Sequence, residues 1–333
     1  MSEIRKDIIT GNYVVIAVER SKRPHDFAHK RPPKKGGFCP FCYGNEQETP
    51  PEVAALRPDE NTEPDTPGWE IRIVPNKFGA VKPDIELKDC KDGIYSYVTG
   101  RGAAEVVIES PRHDSTLGSH EPEHVNNLLK MIRDRYNELG SDENISYVQV
   151  FKNFGPTAGA SLEHPHWQII STPLIPTNVM DELKGTENYY RKHGTCPYCE
   201  MIEEELKDGS RIVAENDYFV ALCPYASRFP FETWILPKEH NNCFGKLTGK
   251  EFGELTEMLQ GIVKKLELGF DYPPYNIVVH SNPVDGVDRD YYHWHIEILP
   301  RLAIMAVFEL GTGYHINPTP PEIAADSLKE IGG

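Results

Sequence analysis

Two histidines two residues apart, His164 and His166, followed after the same step by Gln168, are the side chains of this sequence best spaced for chemistry. In an extended strand successive side chains alternate faces, so all three project from one side. Pro165 between them lacks a backbone donor and suits a sheet edge or the first residues of a strand. Just upstream lie Gly155, Ala158, Gly159, Ala160 and Ser161, a loop of small residues through which a phosphate can approach backbone N–H groups. An imidazole that is neutral near pH 7 can act as a nucleophile, and two imidazoles on one strand face equally suit a metal. The residues alone leave both uses open.

Several elements must position this stretch. Ile145 to Phe151 reads as a strand that delivers Lys152-Asn153-Phe154-Gly155 into the small-residue loop. Further strands are expected at 71–78 and 104–110, the latter closed by Pro111-Arg112-His113. Apolar spacing at Val125, Leu128, Leu129, Ile132 and Tyr136 predicts a helix over about 121–139. Residues 3–10 and 11–18 form a hairpin pattern, and 43–70, rich in Glu, Pro, Asp and Thr, reads as an exposed loop. The basic run from Arg20 to Lys35 is either a solvated loop or a source of charge for a phosphate through Arg20 and Arg23.

From about residue 186 the order of features recurs. Cys196-Pro197-Tyr198-Cys199 repeats Cys39-Pro40-Phe41-Cys42, and His293-Trp294-His295-Ile296-Glu297 repeats His164-Pro165-His166-Trp167-Gln168. A strand at 233–237, a helix at about 250–268 and a strand at 275–280 match their counterparts in the first half. The spacing agrees: 51 residues separate His113 from His164, and 53 separate His240 from His293. The pattern is an internal duplication, two tandem repeats over 1–185 and 186–333. Each is expected to be an α+β unit, an antiparallel sheet with helices packed on one face.

Seven cysteines in a long chain argue against a disulfide framework. Cys39, Cys42, His113 and His164 form one Cys₂His₂ set, and Cys196, Cys199, His240 and His293 a second. Thiolate with imidazole suits zinc over iron by ligand softness, and four protein ligands make a closed, structural site. Two zinc ions per chain are expected. In that arrangement His164 is anchored while His166 stays free.

The chain carries 35 Lys and Arg against 51 Asp and Glu, a net charge of −16, which repels nucleic acid and anionic membranes. Any phosphate site must therefore be local, built from a few cations and backbone donors. No apolar run approaches the ~20 residues of a membrane span, and the first residues have no signal-peptide core, so a cytoplasmic protein is expected.

His-Pro-His-Trp-Gln after Asn153-Phe154-Gly155 and Gly159-Ala160-Ser161 resembles the galactose-1-phosphate uridylyltransferase family of the histidine-triad superfamily, over nearly the whole chain. The resemblance implies that His166 is the nucleophile. It would take a uridylyl group from UDP-glucose, release glucose 1-phosphate and pass the group to galactose 1-phosphate in a ping-pong sequence. It implies that Asn76, Phe78, Asn153, Ser161 and Gln168 meet the nucleotide, Arg20 and Arg23 its phosphates, and Glu309 the hexose. It further implies a homodimer whose sites use both subunits.

The chain departs from the best-known members of that family, in which a lysine precedes a Tyr-Glu pair and the second metal is held by Glu and three histidines. Here Ala303 to Val307 contain no lysine, Phe308 precedes Glu309, and a second cysteine pair is present. These features resemble a plant relative, an ADP-glucose phosphorylase that passes an adenylyl group to inorganic phosphate. A dinucleotide hydrolase of the superfamily would have His where Gln168 stands, and an amide cannot exchange protons with water as acid or base. A zinc-stabilised binding module without chemistry fits the charge poorly. A second active site at His295 and Glu297 lacks the glycine-rich loop, which Ser281-Asn282-Pro283-Val284-Asp285-Gly286 replaces.

Overall fold

The computed structural model describes residues 2–17, 36–303 and 305–332; Arg20 and Arg23 lie outside the described residues. An N-terminal hairpin, β1 (Glu3–Lys6) and β2 (Tyr13–Ile16), precedes the first repeat. That repeat contains β3 (Ala54–Leu56), β4 (Ile71–Pro75), a small exposed hairpin of β5 (Asp89–Asp92) and β6 (Tyr95–Val98), and β7 (Ala104–Ile108). Helix α1 (Pro122–Gly140) then leads to β8 (Tyr147–Phe154) and β9 (His166–Thr172). Helices α2 (Thr177–His193) and α3 (Pro197–Asp208) follow, then β10 (Ile212–Glu215), β11 (Phe219–Leu222) and β12 (Thr233–Pro237). Helix α4 (Glu251–Phe270), β13 (Tyr275–His280) and β14 (His295–Pro300) complete the second repeat. The chain closes with α5 (Val307–Thr312), β15 (His315–Asn317), which pairs with β2 in parallel, and α6 (Pro321–Glu330).

Ten of these strands form one antiparallel sheet in the order β10-β11-β12-β14-β13-β8-β9-β7-β4-β3. Read outward from the middle, each half is the same five-strand pattern. The duplication expected from the sequence is therefore a pseudo-twofold sheet, joined where β8 pairs with β13 through Asn153 opposite Asn276. Joining the halves at this edge satisfies two rows of backbone groups that would otherwise face water unpaired.

Alternation along the strands sets the two faces. Val148 and Val150 of β8, Trp167 and Ile169 of β9 and Val107 of β7 turn to one side, where they share the main core with α1 and α4. Val125, Leu128, Leu129, Ile132 and Tyr136 of α1 are all buried there, as their spacing predicts. Each fully buried aliphatic side chain in this layer contributes about 1.5–3 kcal/mol relative to exposure. On the opposite face α3 and Ile9 of the hairpin cover β11 and β12 through Val220, Leu222, Trp234 and Leu236. The α+β expectation holds, and these helices add a layer the sequence pattern did not reveal. That layer covers the second repeat. On the first repeat His166 and Gln168 share this face.

Residues 43–70 are more than the exposed loop expected. Trp69 is buried and donates to Glu46 Oε1 at 3.0 Å, while Arg72 is buried with Glu52 at 2.8 Å and Asp65 at 2.5 Å. The acidic residues that read as solvated are the counter-charges of a buried arginine. No described helix is long and apolar enough to cross a membrane.

Candidate active site and metal centres

His166 opens β9, immediately after Pro165, so the proline lies before the strand's first residue rather than at a sheet edge. Pro165 needs no ladder donor, and its carbonyl accepts from the Glu109 N–H at 3.3 Å, which pins the corner to the end of β7. The His166 ring is buried, and its Nδ1 lies 2.8 Å from the His164 carbonyl. A carbonyl only accepts, so Nδ1 carries the proton and Nε2 keeps its lone pair. Burial pushes the pKa of His166 down. The His164 carbonyl opposes that shift, Lys152 reinforces it and Glu109 opposes it. The ring is therefore neutral at pH 7, as a nucleophile or a metal ligand must be.

Lys152 and Glu109 lie on the other face of the sheet, both fully buried and ion-paired with each other. The Lys152 ammonium and His120 hold the Glu109 carboxyl at a pKa of about 2 against the desolvation that raises it. The Glu109 carbonyl also accepts from His124 Nε2 at 2.6 Å. Sequence reasoning missed this pair, because a lysine in a strand ordinarily reads as solvated.

Gln168 stands opposite Phe151 of β8, and Lys152 stands opposite Trp167, so Asn153 is next in line toward His166. Asn153 and His164 both line a groove with Gly155, Pro156, Ala160 and Tyr272. The loop between the strands is a 3₁₀ turn, Pro156–Ala158, flanked by Gly155 at φ 83° and Gly159 at φ 88°. Those conformations favour glycine, and a Cβ on Gly155 would also meet Pro274 at 2.9 Å. Ser161 is exposed at the end of the loop. Asn76 accepts from the Phe78 N–H at 3.0 Å in the turn after β4, and Phe78 is 87% exposed. Glu309 is elsewhere: its carboxylate caps α5 at the Ala306 N–H, and it lines a separate pocket with Arg228, Phe229 and His315.

Both Cys₂His₂ sets assemble. The ligand atoms of Cys39, Cys42, His113 and His164 lie within 4.8 Å of one another, as do those of Cys196, Cys199, His240 and His293. Cys39 and Cys42 sit 3.6 Å from His164 Nδ1, and Cys42 lies 3.4 Å from His113 Nδ1. In the second set Cys199 is 3.3 Å from His240 Nδ1 and 3.6 Å from His293 Nδ1. Tetrahedral zinc bonds of roughly 2.3 Å to sulfur and 2.0–2.1 Å to nitrogen put S and N about 3.6 Å apart, so both sets fit such an ion. His164 Nε2 donates to the Ser110 carbonyl at 2.7 Å and His293 Nε2 to the Pro237 carbonyl at 2.9 Å. Each bond aims Nδ1 at the thiols. Two residues apart, His164 is thus turned toward the cysteines, and His166 has no partner at Nε2 among the described residues.

A third group, Glu182, His280 and His295, was not foreseen. Its members are distant in sequence, and Glu182 is an ordinary helical glutamate until the fold sets it beside β13. His280 gives Nδ1 to Glu182 at 3.0 Å and Nε2 to Glu297 at 3.3 Å, and those carboxylates lift its pKa to about 10 against desolvation. Without a metal the group is an ion-pair chain, although its three ligand atoms lie within 4.8 Å of one another, as a metal-ligand set would. Glu297 continues the chain to Arg228 at 2.6 Å.

His295 and Glu297 occupy the places of His166 and Gln168 in the second repeat. Trp234 lies opposite Glu297, where the first repeat has Val106 opposite Gln168, and its ring stacks on His295 at 5.2 Å. The indole and the N-terminal hairpin wall the strand in, leaving an enclosed cavity lined by Asp7, Ile9, Trp234, His295 and Glu297, and the Glu297 carboxylate repels phosphate. The second repeat holds a closed copy of the site, in keeping with its missing glycine-rich loop.

Residues 1–176 match the N-terminal domain of galactose-1-phosphate uridyl transferase, and residues 182–331 match its C-terminal domain. The chain belongs to the galactose-1-phosphate uridyl transferase family. An ADP-glucose phosphorylase from Arabidopsis thaliana is 35% identical, covering 99% of this chain and 93% of its own length. A galactose-1-phosphate uridylyltransferase from Thermotoga maritima is 30% identical over 99% of this chain and 98% of its own length. The crystal structure of an Arabidopsis thaliana ADP-glucose phosphorylase with bound ADP-glucose superposes with a TM-score of 0.84 at 32% identity, covering 100% of both chains. Relatives named for either activity thus match this chain across nearly its full length.

Proposed function

We propose that the protein transfers a nucleotidyl group from a nucleotide sugar through a covalent His166 intermediate. The observation that carries this reading is the pairing, two residues apart, of two differently committed histidines: His164 turned to the thiols, and the buried, neutral His166 with no partner at Nε2 among the described residues, following a glycine-rich loop in the chain. Nε2 attacks the α-phosphorus, the bond to the bridging oxygen breaks, and sugar 1-phosphate leaves with its electron pair. An acceptor phosphate oxygen then attacks the same phosphorus, the N–P bond breaks, and the imidazole is restored. Gln168, Asn153 and Ser161 supply hydrogen-bond donors to the phosphoryl oxygens, where charge builds as bonds change. Asn76 and Phe78 hold the base, with Arg20 and Arg23 at the phosphates.

Two zinc ions are the natural occupants of the Cys₂His₂ sets; bound there they supply structure, since four protein ligands leave no place for water. Glu309 caps its own helix and lines a pocket that does not include His166, so in the homodimer that the resemblance implies it would reach the hexose from a second copy of the chain.

Between the two acceptors, we place adenylyl transfer from ADP-glucose to phosphate ahead of uridylyl transfer from UDP-glucose to galactose 1-phosphate. The second cysteine pair, the missing lysine and Phe308 before Glu309 favour it, and so does the 35% identical relative. The uridylyl reading retains the support of the 30% identical relative. Intact-protein mass after incubation with ADP-glucose alone and with UDP-glucose alone separates them. An adenylyl adduct discharged by phosphate is expected. A uridylyl adduct discharged by galactose 1-phosphate reverses the order, and no adduct from either in zinc-replete protein sinks the His166 mechanism.

A further inference from the structure

A side chain of the second repeat reaches the glycine-rich loop of the first. Asn276 on β13 faces Asn153 on β8 across the strand pair that joins the repeats, and its side chain is buried. Arg301 Nε donates to Asn276 Oδ1 at 2.5 Å, and Asn276 Nδ2 donates to Asn153 Oδ1 at 2.7 Å and to the Ala158 carbonyl at 2.8 Å. The chemistry at both ends leaves one assignment. A guanidinium only donates, so the Asn276 atom facing it is oxygen; the Ala158 carbonyl only accepts, so the atom facing it is nitrogen. The Asn153 atom that meets Asn276 is then its oxygen. Its own Nδ2 is turned the other way, toward the glycine-rich loop, where a Cβ on Gly159 would lie 3.9 Å from it.

We infer that Asn276 and Arg301 are positioning residues for the phosphate subsite, an inference that rests on the nucleotidyl-transfer reading above. Asn276 sets which face of the Asn153 amide is presented to a phosphoryl oxygen, and it ties the 3₁₀ turn of the loop to the second repeat through Ala158. Arg301 holds Asn276 in that orientation by a charge-assisted bond, its guanidinium resting over the Phe229 ring at 4.6 Å. An unrestrained asparagine presents either its donor or its acceptor, and a carbonyl oxygen aimed at a phosphate repels it. The second repeat thereby selects the donor.

The test is a double-mutant cycle on the single-turnover rate of nucleotidyl-enzyme formation. Asn276→Asp keeps the acceptor for Arg301 and replaces the amide donor by a carboxylate oxygen, which draws the Asn153 Nδ2 toward it and away from the phosphate. In the full-length, zinc-replete protein the rate should fall by about 10–100-fold, the worth of one hydrogen bond to a charged group. In an Asn153→Ala background the same substitution should cost clearly less, because only the tie to the Ala158 carbonyl is left for it to act through. Arg301→Met, which leaves Asn276 in place, should repeat the pattern with a smaller loss, and it carries the comparison alone if Asn276→Asp does not fold. Equal losses in both backgrounds, or no loss in either, overturn the positioning role while the His166 mechanism stands. A wild-type protein that forms no adduct removes the mechanism itself, and the positioning role with it.

Discussion

Replacing His166 by asparagine separates the chemistry of the ring from its place in the fold. The imidazole does two things: Nδ1 donates to the His164 carbonyl at 2.8 Å, and Nε2 stays without a partner among the described residues. An asparagine amide nitrogen reaches about as far as Nδ1, so His166→Asn keeps the hydrogen bond and deletes only the atom proposed to attack phosphorus. The structural loss is the edge contact with Phe41, whose ring centroid lies 5.5 Å away. Such a contact is worth about 0.5–1.5 kcal/mol beyond area burial. In a chain of this size that moves the melting temperature by no more than about 3 °C. Turnover, by contrast, should fall by about 10⁴-fold or more, the loss seen when a covalent nucleophile is removed from an otherwise intact site. The assay pairs thermal melting and metal content with intact-protein mass after exposure to ADP-glucose and UDP-glucose. A folded, metal-replete His166→Asn protein that still acquires a nucleotidyl group at near the wild-type rate refutes the mechanism. So does a wild-type adduct that peptide mapping places on another side chain.

Elemental analysis should find two zinc ions per chain. Cys42→Ser should remove one and lower the melting temperature far more than Cys243→Ser, whose thiol lies outside both Cys₂His₂ sets, because zinc binding free energy is part of folding free energy; equal metal content in the two variants would count against the first set. The ion-pair chain at His280 predicts a pH dependence of known sign. Its pKa is raised from 6.5 to about 10 in the folded protein, so its stabilisation is complete below pH 6.5 and is lost as pH rises through about 10, at up to about 1.4 kcal/mol per pH unit. His280→Gln should cost about 3 kcal/mol at pH 7, where it strands Glu182 without its cation and leaves Glu297 with Arg228 alone. Urea unfolding of both proteins should show the gap narrowing from pH 7 to pH 10, and a constant gap would mean that His280 carries no charge.

Near-neighbour patterns made part of this molecule legible before any coordinates. Alternation commits His166 and Gln168 to one face of β9, though His164 lies before that strand, and the 3.6-residue period of α1 commits Val125, Leu128 and Ile132 to another; both depend only on chain geometry. The duplicated order of cysteines and histidines carried the two metal-ligand sets, because like strands must place like residues at like positions. Edge pairing leaves no such trace. The joining of β8 to β13 is a backbone contact, and Asn276, a lone polar residue in an apolar strand, gains its meaning only from the register that sets it against Asn153. Arg72 and Lys152 misread for the same reason: a charge looks solvated until the fold supplies its counter-charge, Glu52 and Asp65 for one and Glu109 for the other. Duplication thus predicts where the second copy of a site lies and is silent on what became of it. In this chain Trp234 and Glu297 closed that copy. The strand beside it keeps a polar contact with its neighbour's loop, from Asn276 to Asn153 and to the Ala158 carbonyl, a contact that no pattern of duplication announces.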